Sequence, residues 1–180
     1  MDLIADIGAT NSRFALLDGR GAIVANETFN NTDFSNLEGV IERYLRNCRA
    51  ADRPKRAALA IAAPILNDRV QMSNVDWSFS QAALKGQLEL AELVVVNDFA
   101  AVARGLPSLG DKDLLKLGGG ERASKAPLAV IGPGSGLGVA ALIPTADGWS
   151  IVSGEGGHAS ISPITAMEVA VVQQVSLELG

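Results

Sequence analysis

The sequence predicts an α/β fold in which a strand meander is followed by alternating helices and strands. Near the start, three short segments rich in strand-forming residues are separated by turn residues, which is typical of a meander. Farther along, two short apolar runs at residues 57–63 and 93–96 lie among helical patterns, as expected for strands buried on both faces. The predicted order over this part is β-β-β-α-β-α-β-α.

The first part of the chain contains three predicted strands and a helix. The strands cover residues 3–7, 13–17 and 22–29. Residues 18–21, which contain two glycines, form the turn between the second and third strands. Ser35 and Glu38 match a capping box at the start of the helix. Apolar residues then recur at helical spacing as far as Cys48, the single cysteine, which we interpret as a core residue.

The middle of the chain predicts two more helices around a buried strand. One helix begins at Ser78 or Ser80 and extends to about Leu88. The strand at residues 93–96 follows, and a further helix lies near residues 99–104. A strand that leads directly into a helix is a common place for ligand-binding side chains in α/β proteins.

A change in composition at residues 106–120, where glycine and proline interrupt regular structure, predicts a domain boundary near Leu109. Residues 1–109 would form one lobe, and residues 110–180 would begin a second lobe. The second lobe contains strands at residues 128–131, 139–143 and about 149–152. Thr165 and Glu168 form a capping box for a last helix that reaches Gly180.

Charge and hydrophobicity exclude several classes of protein. The net charge of −5, the isoelectric point near 4.9 and the lack of a Lys/Arg run argue against a nucleic-acid surface. The apolar runs are far shorter than the roughly 18 to 20 residues of a transmembrane helix. The N-terminus has no basic region before an apolar stretch. We therefore expect no membrane association, no signal peptide and a cytoplasmic location.

The segment Asp6-Ile7-Gly8-Ala9-Thr10-Asn11 lies between the first two predicted strands. Glycine and small residues allow backbone amides to approach a phosphate, Thr10 adds a hydroxyl donor, and Asp6 could hold magnesium through water. The sequence Gly-Lys-Ser/Thr occurs nowhere in the chain, which excludes a P-loop. A plain hairpin turn is the alternative interpretation of this segment.

The Asn97-Asp98 pair follows the strand at residues 93–96. A carboxylate at the carboxyl end of a central strand could accept a proton from a hydroxyl group of a ligand. Asp also caps helices, and that role is common at a junction between a strand and a helix. The two roles are compatible.

Glycine occupies every second position of residues 132–138, between two apolar strands. A dinucleotide-binding loop would require glycine in place of Leu137 and a helix after the loop, and both are lacking. Four glycines exceed the needs of a hairpin, so we interpret the loop as facing phosphate groups; a flexible turn is the alternative.

The segment Gly154-Glu155-Gly156-Gly157-His158 contains the only histidine of the chain. The glycines let Glu155 and His158 converge on a small ligand, and such polar side chains suit the hydroxyl groups of a sugar. A purely structural histidine is the alternative. One histidine and one distant cysteine do not form a metal-ligand set.

These motifs, together with Ala62-Ala63-Pro64-Ile65, resemble in their order the bacterial ATP-dependent glucokinase family of the hexokinase/actin superfamily. The resemblance covers nearly the whole chain. Ala9 stands where the family usually has glycine, which crowds the phosphate loop mildly. The resemblance implies a ribonuclease H-like (hexokinase/actin-type) small lobe and part of a second α/β lobe.

The resemblance also implies residue roles and ligands. Asp98 would be the general base for glucose, while Asn97, Glu155 and His158 would bind the glucose hydroxyls. Contacts to ATP would come from Asp6, Ile7, Gly8, Ala9, Thr10, Asn11, Gly134, Ser135 and Gly136. Asp6 would hold Mg²⁺ through water.

Members of that family are longer than this chain, so we expect a truncated large lobe and no kinase activity from the 180 residues alone, unless a homodimer rebuilds the cleft. A non-catalytic sugar-binding module is the main alternative function. A sugar-sensing regulator of the related repressor-kinase family is another, although the single cysteine argues against that family's zinc motif.

Overall fold

A computed structural model describes residues 1–48, 53–72, 75–121, 123–134 and 136–179. The strands are β1 (Asp2–Ile7), β2 (Asn11–Leu17), β3 (Ile23–Asn30), β4 (Arg56–Ile61), β5 (Arg69–Gln71), β6 (Ser78–Ser80), β7 (Glu92–Asn97), β8 (Leu128–Pro133), β9 (Leu137–Thr145) and β10 (Gly148–Gly154). The α-helices are α1 (Leu37–Asn47), α2 (Gln81–Gln87), α3 (Asp98–Gly105) and α4 (Ala166–Leu179). Short 3₁₀ turns cover Asn31–Asp33, Leu106–Ser108, Asp111–Asp113 and Gly156–His158.

The first sheet has five strands in the order β3-β2-β1-β4-β7. β1, β2 and β3 are antiparallel neighbours, whereas β4 and β7 run parallel to β1. Ile7, Ile61 and Asn97 are aligned in register at the carboxyl ends of the three parallel strands. The residues that follow these strands therefore meet at one edge of the sheet, as in other open α/β sheets.

The main core lies against one face of this sheet. Alternate residues of β1 and β4 point into it, and the apolar stripe of α1 covers them. Tyr44 of α1 stacks on Phe14 of β2 with a centroid distance of 5.2 Å, and the Tyr44 hydroxyl donates a 2.8 Å hydrogen bond to the carbonyl of Ala25. The buried aromatic pair fixes α1 on the sheet without leaving a polar group unsatisfied.

The second sheet is an antiparallel meander in the order β10-β9-β8. Helix α3 packs against it, so that Ala103 of α3 is fully buried beside Ala140 and Leu142 of β9. Phe99 and Trp149 border the same cluster. Helix α3 thus begins at the edge of the first sheet and contributes its apolar residues to the core of the second.

The structure confirms the α/β fold and the predicted helices. The prediction that β4 and β7 are buried on both faces was wrong: alternate residues such as Ala58 and Val94 are exposed, because the main core covers only one face of the sheet in the described residues.

The cap of α1 also differs from the prediction. Asn36 and not Ser35 caps α1: its side chain accepts a 2.8 Å hydrogen bond from the backbone N–H of Gly39. The extended backbone of Asn36 places its short amide at the helix end, which a Ser35–Glu38 box one residue earlier does not reach. Ser80 caps α2, as one of the two predicted alternatives.

Strands β5 and β6 have only three residues each and were not predicted.

Thr165 and Glu168 form the predicted capping box of α4. The N–H of Glu168 donates to the Thr165 hydroxyl, and the N–H of Thr165 donates to the Glu168 carboxylate. The expected end of that helix, Gly180, lies outside the described residues. None of the described helices is long and apolar enough to cross a membrane.

Candidate active site

A cleft of about 560 Å³ lies between the carboxyl edge of the first sheet and the hairpin of the second sheet. Its walls come from the loop after β1, the loop after β4, the start of α3, the β8–β9 turn and the loop after β10. Among the residues that line the cleft are Gly8, Ala9, Ala63, Asn97, Asp98, Gly134, Gly136, Glu155 and His158. Five separate sequence motifs thus meet in one place.

Asn97 and Asp98 have different roles at the junction of β7 and α3. The Asn97 side-chain oxygen caps α3 by accepting a 3.1 Å hydrogen bond from the N–H of Ala100. The Asn97 amide donates to Oδ1 of Asp98 at 2.9 Å, and the N–H of Phe99 donates to the same oxygen at 2.8 Å. Asn97 therefore caps the helix, while the Asp98 carboxylate is held by two donors at the cleft wall.

The environment of Asp98 makes its carboxylate a stronger base. Burial raises the pKa of Asp98 above its ordinary value, and the nearby negative charge of Asp6 acts in the same direction. The hydrogen bonds from the N–H of Phe99 and from Asn97 oppose this shift. A carboxylate that is fixed in position and has a raised pKa is suited to accept a proton from a hydroxyl group.

The loop between β1 and β2 is fixed from its buried side by Asn31. The N–H of Gly8 donates to the carbonyl of Asn11 at 2.9 Å, which closes the loop. The Asn31 side-chain amide donates to the Gly8 carbonyl, and the Asn31 backbone N–H donates to the Thr10 carbonyl, both at 2.9 Å. Asn31 is only 1% exposed. Its role was missed because its immediate neighbours suggest only a turn.

The six residues predicted for the first loop do not all reach the cleft. Gly8 and Ala9 line it, and Ile7 is fully buried in the core, so only the backbone of Ile7 is available at this edge. Thr10 is exposed, and Asn11 begins β2. The structure thus places Gly8 and Ala9 beside Asp98 and leaves Asp6, Ile7, Thr10 and Asn11 outside the residues that line the cleft.

Asp6 is the residue expected to hold Mg²⁺. Its Oδ2 accepts a 2.9 Å hydrogen bond from Arg13, and the Asp6 side chain is half exposed. The described residues contain no group of three or more side chains that could hold a metal ion by themselves. Mg²⁺ commonly needs only one or two carboxylates when phosphates and water supply the other oxygens. Asp6 is paired with Arg13 and does not itself line the cleft, so its hold on Mg²⁺ through water stays a prediction.

The β8–β9 turn presents glycine backbone to the cleft. The N–H of Gly134 donates to the carbonyl of Gly136 at 2.7 Å, and both residues line the cleft. Ser135, also predicted to contact phosphates, lies outside the described residues. Gly132 and Gly138 are register partners in the strands on either side of the turn, and both lie against the ring of Phe99.

Glu155 and His158 lie on the opposite wall, after β10. Nδ1 of His158 is 3.7 Å from Oε2 of Glu155, and the side chains are 85% and 57% exposed, respectively. Gly156 packs so closely on Val139 that an added Cβ would clash with it. The close approach of this loop to β9 brings both polar side chains to the cleft, where they can bind hydroxyl groups.

Comparison with known proteins gives a consistent result. A family model described as Glucokinase matches residues 3–180. A glucokinase from Colwellia psychrerythraea is 41% identical over 97% of this chain and 53% of its own length. The solved glucokinase structure from an Antarctic psychrotroph has a TM-score of 0.78 and 35% identity, with coverage of 98% of this chain and 56% of that one.

The glucokinase of Balamuthia mandrillaris, solved in complex with glucose, shares the fold at 20% identity, with a TM-score of 0.76 over 97% of this chain and 53% of that one. The fold is therefore the actin-like type of sugar kinases, as the sequence predicted. The chain spans about half the length of the glucokinases it matches and about a quarter of the longer bifunctional relatives.

Proposed function

Because the chain belongs to the glucokinase family, we propose that the cleft binds glucose and ATP and that the full-length protein transfers the γ-phosphate to the 6-hydroxyl of glucose. The observation that carries this proposal is the Asp98 carboxylate, fixed by two donors and facing a cleft whose opposite wall holds Glu155 and His158. We expect the protein to act in the cytoplasm, where both substrates are available.

In this proposal the side chains of the cleft orient glucose. Asn97, Glu155 and His158 bind sugar hydroxyls, and Asp98 accepts the proton of the 6-hydroxyl as that oxygen attacks phosphorus. Asn97 contributes through its cap as well, because the same side chain holds α3 and donates to Asp98. Positioning of the two substrates supplies most of the rate in reactions of this kind.

Backbone amides bind the phosphates in this proposal. The two loops that contain Gly8 and Gly134 approach the cleft from different sheets. The N–H groups of Gly8 and Gly134 close their own loops, so the neighbouring N–H groups of Ala9 and Gly136 would bind the phosphates. Backbone N–H groups can bind anions without the help of basic side chains. This allows phosphate binding in a chain whose net charge is −5. Mg²⁺, held by Asp6 through water, would neutralise negative charge on the phosphates.

The experiment is a phosphoryl-transfer assay with the full-length protein, ATP and a set of hexoses. We expect glucose 6-phosphate as the product, no transfer to 6-deoxyglucose, and weaker use of sugars in which a hydroxyl contacted by the cleft is inverted. Glucose binding without transfer would favour a sugar-binding module instead. No glucose binding and no transfer would reject the proposal.

A further inference from the structure

We propose that Phe99 is a positioning residue for phosphoryl transfer: its ring, packed on Gly132 and Gly138, holds Asp98 and the glycine hairpin in a fixed relation across the cleft. This inference rests on the proposed role of Asp98 as base. It gives two of the four glycines in the hairpin a role in packing and not in phosphate binding.

The contact between Phe99 and the hairpin is very close. Gly132 and Gly138 are direct partners in the β8–β9 register, and the ring lies against both. A Cβ added to Gly132 would be 2.6 Å from Cζ of the ring, and one added to Gly138 would overlap the ring. Only glycine leaves room for the ring at these positions.

The other two glycines of the hairpin have no such constraint. A Cβ added to Gly136 would have no atom within 4 Å, and one added to Gly134 would meet only the carbonyl of Gly136, at 4.0 Å. The alternating glycines therefore form two pairs. All four glycines line the cleft. Gly132 and Gly138, the outer pair, are also packed on the Phe99 ring, whereas Gly134 and Gly136, the turn pair, have no contact with that ring.

Phe99 is tied to Asp98 as directly as it is to the hairpin. It is the next residue in the chain, and its N–H donates the 2.8 Å hydrogen bond to Oδ1 of Asp98. Behind the ring, Ala103 of α3 is fully buried against Ala140 and Leu142 of β9. Because the helix is anchored in this core, a change at the Phe99 ring would alter the position of Asp98 relative to the hairpin.

The test is a double-mutant cycle in the full-length protein with Phe99→Leu, Gly138→Ala and both together. We expect each single change to lower kcat by on the order of 10- to 10²-fold, the loss that a displacement of about 1 Å causes. The KM for glucose should change far less in Phe99→Leu, because that change leaves the packing of the Glu155–His158 loop on Leu137 and Val139 in place. Leucine leaves room for the added methyl group, so the double variant should lose no more than the worse single variant.

The controls are Phe79→Leu, a buried phenylalanine of the first core, and Gly118→Ala, where an added Cβ meets nothing within 4 Å. Both should keep the parent kcat when circular dichroism shows them folded. A double variant that multiplies the two single losses would assign Gly138 to the phosphates and overturn the proposal. A Phe99→Leu variant with the parent kcat would also overturn it.

A parent protein without kinase activity would reject the proposed function separately. The inference is then decided by the ¹³C chemical shift of the Asp98 carboxyl in aspartate-labelled protein. We expect that shift to change in Phe99→Leu and in Gly138→Ala but not in Gly118→Ala. An unchanged shift in the first two variants would overturn the positioning role.

Discussion

The Ser12 hydroxyl donates a 2.6 Å hydrogen bond to Oδ1 of Asn31, and both residues are almost completely buried, at 0% and 1% exposure. The same Asn31 side chain donates to the Gly8 carbonyl on the other side. Asn31 thus connects the start of β2 with the loop that lines the cleft. A buried amide with partners on both sides fixes the loop in one conformation.

We expect Asn31→Leu to destabilise the protein and to weaken ATP binding. The change leaves the Ser12 hydroxyl and the Gly8 carbonyl without their partner, at a cost of about 1 to 3 kcal/mol for each buried group. The KM for ATP should rise more than the KM for glucose, because the loop faces the phosphate side of the cleft in our proposal. Urea unfolding and initial rates measure the two effects. The matched change at an exposed asparagine of β3, Asn26→Leu, should show neither effect, and equal KM changes for both substrates would contradict the assignment of this loop.

The raised pKa of Asp98 makes a prediction about stability. The folded protein holds this proton more tightly than the unfolded chain, whose Asp pKa is about 3.9. The group therefore contributes stability below the unfolded pKa, and that contribution is lost as the pH rises through the folded pKa. We expect Asp98→Asn to raise the Tm at pH 7, with a difference that shrinks as the pH falls toward 4. A lower Tm for Asp98→Asn at pH 7 would contradict burial as the main cause; the exposed Asp147→Asn serves as control.

We expect Glu155→Ala to weaken glucose binding more than His158→Ala. Hydrogen bonds to an ionised carboxylate contribute about 1.5 to 3 kcal/mol, against about 0.5 to 1.5 for a neutral partner. These values correspond to roughly 10- to 150-fold and roughly 2- to 10-fold in Kd. Calorimetry with glucose on the full-length variants measures both, with the exposed Glu121→Ala as control. If both variants bind glucose as tightly as the parent, the loop after β10 is only a structural turn.

We expect a polypeptide limited to residues 1–180 to self-associate through helix α4. Apolar residues spaced four apart form an exposed stripe along this helix. They are Met167, Val171, Val175 and Leu179, which are 78, 57, 47 and 82% exposed, respectively. Exposed apolar patches of this kind promote association. Sedimentation velocity should show a mass that increases with concentration, and Val171→Lys with Val175→Lys should reduce it while Gln173→Lys does not. A monomer at all concentrations would contradict this prediction.

Much of the fold could be predicted from the sequence because local patterns determine it. Three features could be recognised within a few neighbouring residues: the period-2 alternation of the strands, the apolar stripe of α1 and the Thr165–Glu168 cap. The structure shows each of them. The short strands β5 and β6 were missed because three residues contain too little alternation to be recognised. The α1 cap was misplaced by one residue, since Ser and Asn are both good caps and only the backbone conformation selects between them.

The site was only partly predictable. The motifs that contain Asp98, Glu155 and His158 could be recognised in the sequence, and the fold brings them to one cleft. The contributions of Asn31 and of the Phe99 ring depend on contacts between segments far apart in the chain, 23 residues apart for Asn31 and Gly8. Such contacts follow from strand register and helix packing, which cannot be predicted from local patterns in the sequence.

The central claim is that Asp98 is the base of a glucose kinase, and the most direct measurement compares the full-length parent with Asp98→Asn. Asparagine can keep the hydrogen bond from the N–H of Phe99 but cannot accept the proton of the 6-hydroxyl. We predict that kcat for glucose 6-phosphate formation falls by on the order of 10² to 10⁴ while the Kd for glucose, measured by calorimetry on the same samples, changes by less than about tenfold. Near-normal turnover in Asp98→Asn would contradict the account.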